Sequence, residues 1–161
     1  MTTSVPTIAV FPEEKLTLDQ KIEKWVWQLC RSLEENYQSK YPNGVIPDVV
    51  RVKFRMEFGR KYIKVIQQEY DTFRDRNEYR DGGVHAFVDK NTGEVYKPAP
   101  WKSPAKIVRY DLRLISDRAK LHTPNFTDWA GGYLYLREFS VLKYDFKLLN
   151  CQPSLLFPNG I

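Results

Sequence analysis

Apolar positions in the N-terminal quarter of the chain recur at three- and four-residue steps. They run from Ile22 to Tyr37 and form one stripe, which is typical of an amphipathic helix. Thr17 and Gln20 match a capping box at its start, and the breaker cluster 42–44 ends it. We therefore predict a helix over residues 18–40. Its apolar face is expected to pack on a sheet, and a groove for a partner is the alternative interpretation.

The segment that follows alternates strictly between apolar and polar residues. Arg51, Lys53, Arg55 and Glu57 point to one side, and apolar residues point to the other. This two-residue period predicts a half-buried strand near 49–58, with a return strand near 61–69 after the Gly59-Arg60 turn. Residues 84–89 and 94–97 flank a glycine-containing turn, which indicates a hairpin. The predicted fold is α+β, a small antiparallel sheet with the N-terminal helix packed on one face.

A second helix is predicted after the hairpin, over roughly 104–120. Ser103 and Pro104 are a suitable cap and first helical residue. On a helical projection Lys106, Arg109, Arg113 and Lys120 share one face, and Lys102 points the same way. The β-rich composition of residues 107–115 makes a strand the competing prediction.

The other segments yield weaker predictions. Residues 71–83 are interpreted as a charged loop, and the glycine pairs 82–83 and 131–132 as turns. Strands are predicted near 133–139 and 141–148, followed by an apolar tail that docks on its own domain or on a neighbouring subunit. We predict a single domain over 1–161, composed of an extended arm at 1–16, an α+β core at 17–120 and a C-terminal extension at 121–161.

Composition favours a folded protein, with 42% hydrophobic and 14% aromatic residues. No apolar run approaches the ~20 residues that span a bilayer, so no membrane partner is expected. Cys30 and Cys151 are too few for a disulfide framework or a four-thiolate zinc site. Cys30 lies on the apolar helix face, where a buried, reduced thiol in a cytosolic compartment is expected.

Candidate catalytic residues are sparse. His85 and His122 lack a metal-ligand spacing with a second ligand, and the chain has no nucleophile elbow or phosphate-binding loop. His85 is expected to face the same side of its strand as Phe87 and to make an ordinary hydrogen bond. We therefore predict a protein that is not an enzyme, without catalytic residues, metal or cofactor.

Positive charge is concentrated in residues 97–120, which hold seven basic and two acidic residues, a balance of +5 that equals the net charge of the whole chain. Trp101 and Tyr110 are interleaved with these cations. Lysine and arginine neutralise phosphates and aromatic rings stack on bases, so this pattern predicts nucleic-acid binding. A second basic cluster is formed by Arg51, Lys53 and Arg55 on the polar side of the first strand and by Arg60, Lys61 and Lys64 after it. If both clusters share one face, they form a positive groove. The predicted nucleic-acid-binding residues are Lys97, Trp101, Lys102, Lys106, Arg109, Tyr110, Arg113, Arg60 and Lys61.

The same charges would also suit an acidic protein surface or another subunit. The alternative hypothesis is therefore a structural or interaction protein. It would contact another protein or further copies of itself through its aromatic surface and apolar tail.

Two motifs carry a resemblance to a known group of proteins. GRKYIKVIQ at 59–67 and VHAFVDKNTGEVYKPAPWKSPAKIVRYDL at 84–112 are similar to small uncharacterised proteins encoded by tailed bacteriophages. The pattern they share is GRKYxK, then VHAFVDxxTGxVYKxAxWxxPAK, then RY. The resemblance implies a viral origin and a location in the host bacterial cytoplasm or in the virion. The alternative function would then be a virion component or an inhibitor of a host factor, and its partner would be a phage protein, a host protein or a further copy of the chain.

Overall fold

The computed structural model describes residues 15–42 and 50–135. The helices are α1, Leu18–Lys40, and α2, Ile115–Leu121. The strands are β1, Val52–Phe58; β2, Tyr62–Asp71; β3, Glu78–Asp89; β4, Glu94–Pro98; and β5, Pro104–Asp111. Short 3₁₀ turns cover Phe73–Asp75 and Gly132–Leu134.

The five strands form one antiparallel meander in the order β1-β2-β3-β4-β5. Each strand pairs with its sequence neighbour, so β1 and β5 are the two edges. The α+β prediction is confirmed, with an N-terminal helix, an antiparallel sheet and a second helix after the strands.

The predicted bounds of α1 are confirmed, and its start has the predicted capping box. Thr17 Oγ1 accepts a hydrogen bond from the Gln20 amide at 3.4 Å, and Gln20 Oε1 accepts one from the Thr17 amide at 3.0 Å. Two amides that have no partner within the helix are thereby satisfied.

The apolar stripe of α1 packs on one side of the sheet, called here the helix side. Cys30 is buried in this core, and burial raises the pKa of its thiol to about 12, which keeps it protonated. Buried residues of α1 and of the sheet form one hydrophobic cluster. The cluster contains Ile22, Trp25, Val26, Leu29 and Leu33 of α1 and Val52, Phe54, Ile63, Val65, Ala86, Val88 and Val95 of the sheet.

Asn36, a buried polar residue of α1, ties the chain after α2 to this helix. Its Nδ2 donates to the carbonyl of Pro124 at 2.6 Å, and its Oδ1 accepts from the amide of Trp129 at 3.1 Å. Trp129 then packs edge-on against Tyr37, with ring centres 5.1 Å apart. The segment that leads to residue 135 is thus held on the helix side.

The prediction of one helix over 104–120 is wrong in its first half. Residues 104–111 form β5, paired with β4 from Glu94↔Asp111 to Pro98↔Pro104, and α2 begins only at Ile115. Pairing with β4 outweighed the local Ser-Pro helix signal, and the competing strand prediction is confirmed there. Pro104 is tolerated because it is the first residue of an edge strand.

The predicted loop over 71–83 is shorter in the structure. β3 begins at Glu78, so Gly82 and Gly83 lie in a strand and the prediction of a turn there is wrong. The register shift between Gln67 and Gln68 leaves Gly82 without a partner residue, as in a β-bulge. Tertiary pairing with β2 extended the strand through this pair of glycines.

The second glycine pair does form a turn, with Gly131 in the left-handed region at φ 83°. The 3₁₀ turn that follows shows that the strand predicted at 133–139 is wrong at its start. The rest of that strand, the predicted strand at 141–148, the apolar tail and the arm up to residue 14 lie outside the described residues.

His85 and Phe87 face opposite sides of the sheet, so the prediction that they share one side is wrong. Val65 pairs with Ala86 and Ile66 with Val84, so His85 is the extra residue of a second β-bulge. The bulge turns its ring to the helix side, where it lies 5.2 Å from the Phe54 ring. Phe87 keeps the other side of the sheet and packs on Tyr62. The predicted ordinary hydrogen bond is confirmed.

Candidate nucleic-acid interface

The seven basic side chains of residues 97–120 do not form one patch. Arg109, Arg113 and Arg118 are hydrogen-bonded within the protein, Lys97 lies over the ring of Tyr135, and Lys102, Lys106 and Lys120 are exposed without an ion pair in the described part of the chain. Since β5 replaces the first half of the predicted helix, the cations are also distributed over both sides of a strand rather than along one helix face.

Arg113 and Arg118 serve local structure. Arg113 is bidentate to Asp111, with Nε 3.0 Å and Nη2 2.7 Å from its oxygens, and this hydrogen bonding raises the pKa of Arg113. The Arg118 guanidinium lies 4.2 Å from the centre of the Trp25 ring and donates to the carbonyl of Leu112 at 3.0 Å. Both guanidinium groups are therefore fixed by contacts within the protein, and the charge of Arg113 is paired with a carboxylate.

Arg109 and Tyr110 hold the segment 133–135 against the sheet. Arg109 Nε donates to the carbonyl of Leu134 at 2.7 Å, and the Tyr110 hydroxyl donates to the carbonyl of Tyr133 at 2.8 Å. Burial raises the pKa of the Tyr110 hydroxyl, which stays protonated as a donor. These two predicted binding residues are therefore anchors of a neighbouring segment.

His85 is a further anchor of this segment. Its Nε2 and the Tyr133 hydroxyl are 2.9 Å apart, and burial lowers the pKa of His85 to about 4, which keeps the imidazole neutral at pH 7. Gly131 packs beside it, and a Cβ at this position would lie 3.6 Å from His85 Cε1. The left-handed backbone at φ 83° favours glycine here, and the distance to the imidazole is an ordinary van der Waals contact.

A cleft opens where β4 separates from β3. The two strands pair only at Phe87↔Tyr96 and Val88↔Val95, and beyond Tyr96 the gap between them is not closed by another described strand. The cleft has a volume of about 200 Å³. Its lining includes Gln67, Gly83, Val84, His85, Lys97, Pro98, Gly131 and Tyr135.

Lys97 and Tyr135 meet at the rim of this cleft. The Lys97 ammonium lies 3.9 Å from the centre of the Tyr135 ring, and Tyr135 is 59% exposed. A cation over an aromatic face at this distance is attracted by the ring quadrupole. The pair presents a positive charge and an exposed ring side by side.

The β4–β5 turn flanks the same cleft, because Pro98 lines the cleft and the turn begins at the next residue. It is closed by a hydrogen bond from the Ala99 amide to the Ser103 carbonyl at 3.1 Å. Trp101, 43% exposed, and Lys102 lie in the turn, and Lys106 follows on β5. We call Lys97, Trp101, Lys102, Lys106 and Tyr135 the rim surface.

Arg60 and Lys61 lie far from the rim surface. They occupy the β1–β2 turn, at the end of the sheet where β5 finishes, and β5 alone spans roughly 24 Å between its first and last residues. Lys61 Nζ is also 3.7 Å from the Asp89 carboxylate. The structure therefore does not bring these two predicted residues together with Trp101 and Lys102.

The second basic cluster belongs to the opposite edge of the sheet. Arg55 Nε is 3.0 Å from Asp81 Oδ1, and Lys64 Nζ is 3.0 Å from Glu57 Oε1. Hydrogen bonding from Arg55 lowers the pKa of Asp81 to about 2. Because four strand spacings, about 19 Å, separate β1 from β5, the two clusters do not line one groove.

Within residues 15–42 and 50–135, no three histidine, cysteine or acidic side chains are grouped so that they could hold a metal ion. Neither α1 nor α2 has the length and apolar character that would let a helix cross a bilayer.

Residues 9–136 match the sequence profile of a family of unknown function, DUF7717. The chain belongs to this family. The DUF7717 match includes the cleft and every residue of the rim surface. The searches of curated proteins and of solved structures found no match.

Tyr135 and the cleft were missed by the sequence reasoning. Tyr135 lies 38 positions after Lys97 and in a segment predicted to be a strand, so no local spacing connects the two residues. The only local signal was the Gly131-Gly132 turn, which indicates a change of chain direction without indicating what it approaches.

Proposed function

We propose that this protein binds nucleic acid, without enzymatic activity, through the rim surface. The observation that supports this proposal most is the Lys97–Tyr135 pair in the lining of the cleft, next to the β4–β5 turn that carries the exposed Trp101 and Lys102 and leads to Lys106. Lys102 and Lys106 have no ion pair in the described residues, so their charge is available to a ligand.

The chemistry of these groups suits a phosphate backbone with accessible bases. Lysine side chains displace counterions from phosphates, which supplies most of the affinity of non-specific binding. Aromatic rings add base stacking that tolerates any sequence. The proposed interface keeps Lys97, Trp101, Lys102 and Lys106 of the predicted residues and assigns Arg109 and Tyr110 to positioning.

We also propose that the protein is encoded by a tailed bacteriophage and acts in the host bacterial cytoplasm or in the virion. The support is the resemblance carried by the GRKY motif at 59–62 and by the VHAFVD motif at 84–89.

The proposal is tested by fluorescence anisotropy with a labelled oligonucleotide of about 15 nucleotides, within the range of known single-strand site sizes. With three lysines on phosphates, a slope of log affinity against log salt of about −2 is expected, or roughly a fifteenfold loss between about 50 and 200 mM salt. No binding at the lowest salt, or binding without salt dependence, would contradict the proposal.

A second candidate function is supported by a different surface. Ile107 on β5, Leu114 and Ile115 are 57%, 53% and 75% exposed. Such apolar side chains near an edge strand suit an assembly contact, as in a virion component, or a contact with a host factor. The assembly form of this hypothesis predicts concentration-dependent oligomers that Ile107→Lys/Ile115→Lys abolishes. A monomer at every concentration by multi-angle light scattering would contradict it.

A further inference from the structure

We infer that the nucleic acid is single-stranded and that one unpaired base enters the cleft between β3 and β4, stacked on Tyr135. This inference rests on the proposed function and makes it more specific, since it names the form of the ligand and the place of one base.

The size of the cleft favours a single ring system over a larger ligand. Its volume of about 200 Å³ is below the range of roughly 300–1,000 Å³ that holds a whole small-molecule ligand. A duplex keeps its bases stacked inside, whereas a single strand can turn one base outward. A single strand can therefore insert a base into the cleft, whereas a duplex with all bases paired cannot.

Tyr135 is placed to be a stacking platform. The Lys97 ammonium lies over one face of its ring at 3.9 Å, and Tyr135 as a residue is 59% exposed. A base on the open face would be separated from the Lys97 ammonium by the ring, and the ammonium would remain available to a phosphate of the strand. The backbone contacts from Arg109 to Leu134 and from Tyr110 to Tyr133 hold the segment that carries Tyr135.

The interior of the cleft offers main-chain polar groups. Gly83 and Val84 line it where β4 no longer pairs with β3, and Gly83 has no side chain to fill the space. Strand-edge amides and carbonyls can hydrogen-bond the edge of a base. His85 lies deeper, and its Nε2 is already hydrogen-bonded to Tyr133.

An extended peptide added to the open edge of β3 is the competing ligand. Such a peptide would need a regular series of main-chain donors and acceptors along the edge of β3. The bulges at Gly82 and His85 interrupt this series. Bulges of this kind are one way in which proteins protect strand edges from pairing. The edge geometry and the neighbouring ring and cations together favour a base.

The affinity test compares an oligothymidylate of about 15 nucleotides with a duplex of the same length, using Tyr135→Ala and the matched control Tyr135→Phe. Loss of one stacked base is expected to weaken single-strand binding by about tenfold in Tyr135→Ala. Tyr135→Phe keeps the ring and should bind as the parent does, and duplex binding should be weaker and unchanged by either substitution. If the oligothymidylate and the duplex bind with equal affinity, and Tyr135→Ala changes neither affinity, the cleft inference is overturned while the proposed function stays intact.

An NMR titration locates the ligand independently of any variant. A short oligothymidylate should shift the amide signals of Gly83, Val84 and Gly131. Shifts confined to Lys102 and Lys106 would overturn the cleft inference alone. The absence of any shift at low salt, or cleft shifts caused by an acidic peptide and not by the oligonucleotide, would overturn the proposed function as well.

Discussion

The Lys97 ammonium lies 3.9 Å from the centre of the Tyr135 ring, across a cleft rim formed by two segments far apart in the sequence. This contact joins β4 to the segment that follows α2 and places a cation beside an exposed ring. Of the other predicted cations, Arg109 is hydrogen-bonded to the same segment, and Arg113 is paired with Asp111 at the other end of β5. The pair therefore marks the place where the basic stretch still faces solvent next to an aromatic group.

Acid is expected to destabilise the protein through His85. Its folded pKa is about 4, below the ordinary value of 6.5, because burial disfavours the charged ring. The His85 imidazole therefore binds a proton below pH 6.5 in the unfolded chain, but only below about pH 4 in the folded protein. The free energy of unfolding should fall as the pH drops through this window, by on the order of 3 kcal/mol in total.

Urea denaturation at a series of pH values measures this effect, with His85→Gln as the control. Glutamine keeps a polar atom near Tyr133 but does not titrate, so its stability should vary less between pH 6.5 and 4.5. Asp81 does not obscure this window because its pKa changes only between about 3.8 and 2. An identical pH dependence in the parent and in His85→Gln would contradict the prediction.

Tyr110→Phe is expected to lower the free energy of unfolding by about 1 kcal/mol, because the carbonyl of Tyr133 loses its donor. It should also weaken single-strand binding, since the segment that carries Tyr135 is held less firmly. Tyr96→Phe is the matched control, because its hydroxyl bonds Glu94 on the same strand. Chemical denaturation and anisotropy measure the two effects, and unchanged stability in Tyr110→Phe would refute the anchoring role.

Thr17→Ala is expected to destabilise the protein by about 1 kcal/mol, because the Gln20 amide loses its acceptor at the start of α1. Thr17→Ser keeps the hydroxyl and should retain the stability of the parent. Thermal unfolding of the three proteins is the measurement. Equal loss in both variants would mean that the methyl group, and not the cap, is responsible.

Local patterns were sufficient to predict the elements that local physics controls. The stripe from Ile22 to Tyr37 and the Thr17 cap predicted α1 with its observed bounds, and strict alternation predicted β1 with its apolar side toward the core. At 104–111 the Ser-Pro signal for a helix was also local, but it was overridden by pairing with β4. Strand formation there depends on a neighbour that the local signal does not contain.

The arrangement of the charges could not be predicted for the same reason. Arg118 is held over Trp25, and Arg109 is held by the carbonyl of Leu134, so each cation is directed by a residue distant in the sequence. The bulge that turns His85 to the helix side depends likewise on the register of β2 and β3. The charge density along the chain indicated a basic surface. Tertiary structure determines which of the cations face solvent.

The most direct test of nucleic-acid binding at the rim surface compares two charge reversals. Lys102→Glu/Lys106→Glu removes two of its cations, and Arg60→Glu reverses an exposed charge at the other end of the sheet. Anisotropy with a labelled oligothymidylate at low salt should show at least a tenfold loss of affinity in the double variant and a salt slope reduced by about 1.4. Arg60→Glu should stay within about threefold of the parent at about 50 mM salt, since about 24 Å of strand exceeds the screening length of about 14 Å at that salt concentration. Equal effects of the two variants, or unchanged affinity in the double variant, would contradict binding at this surface.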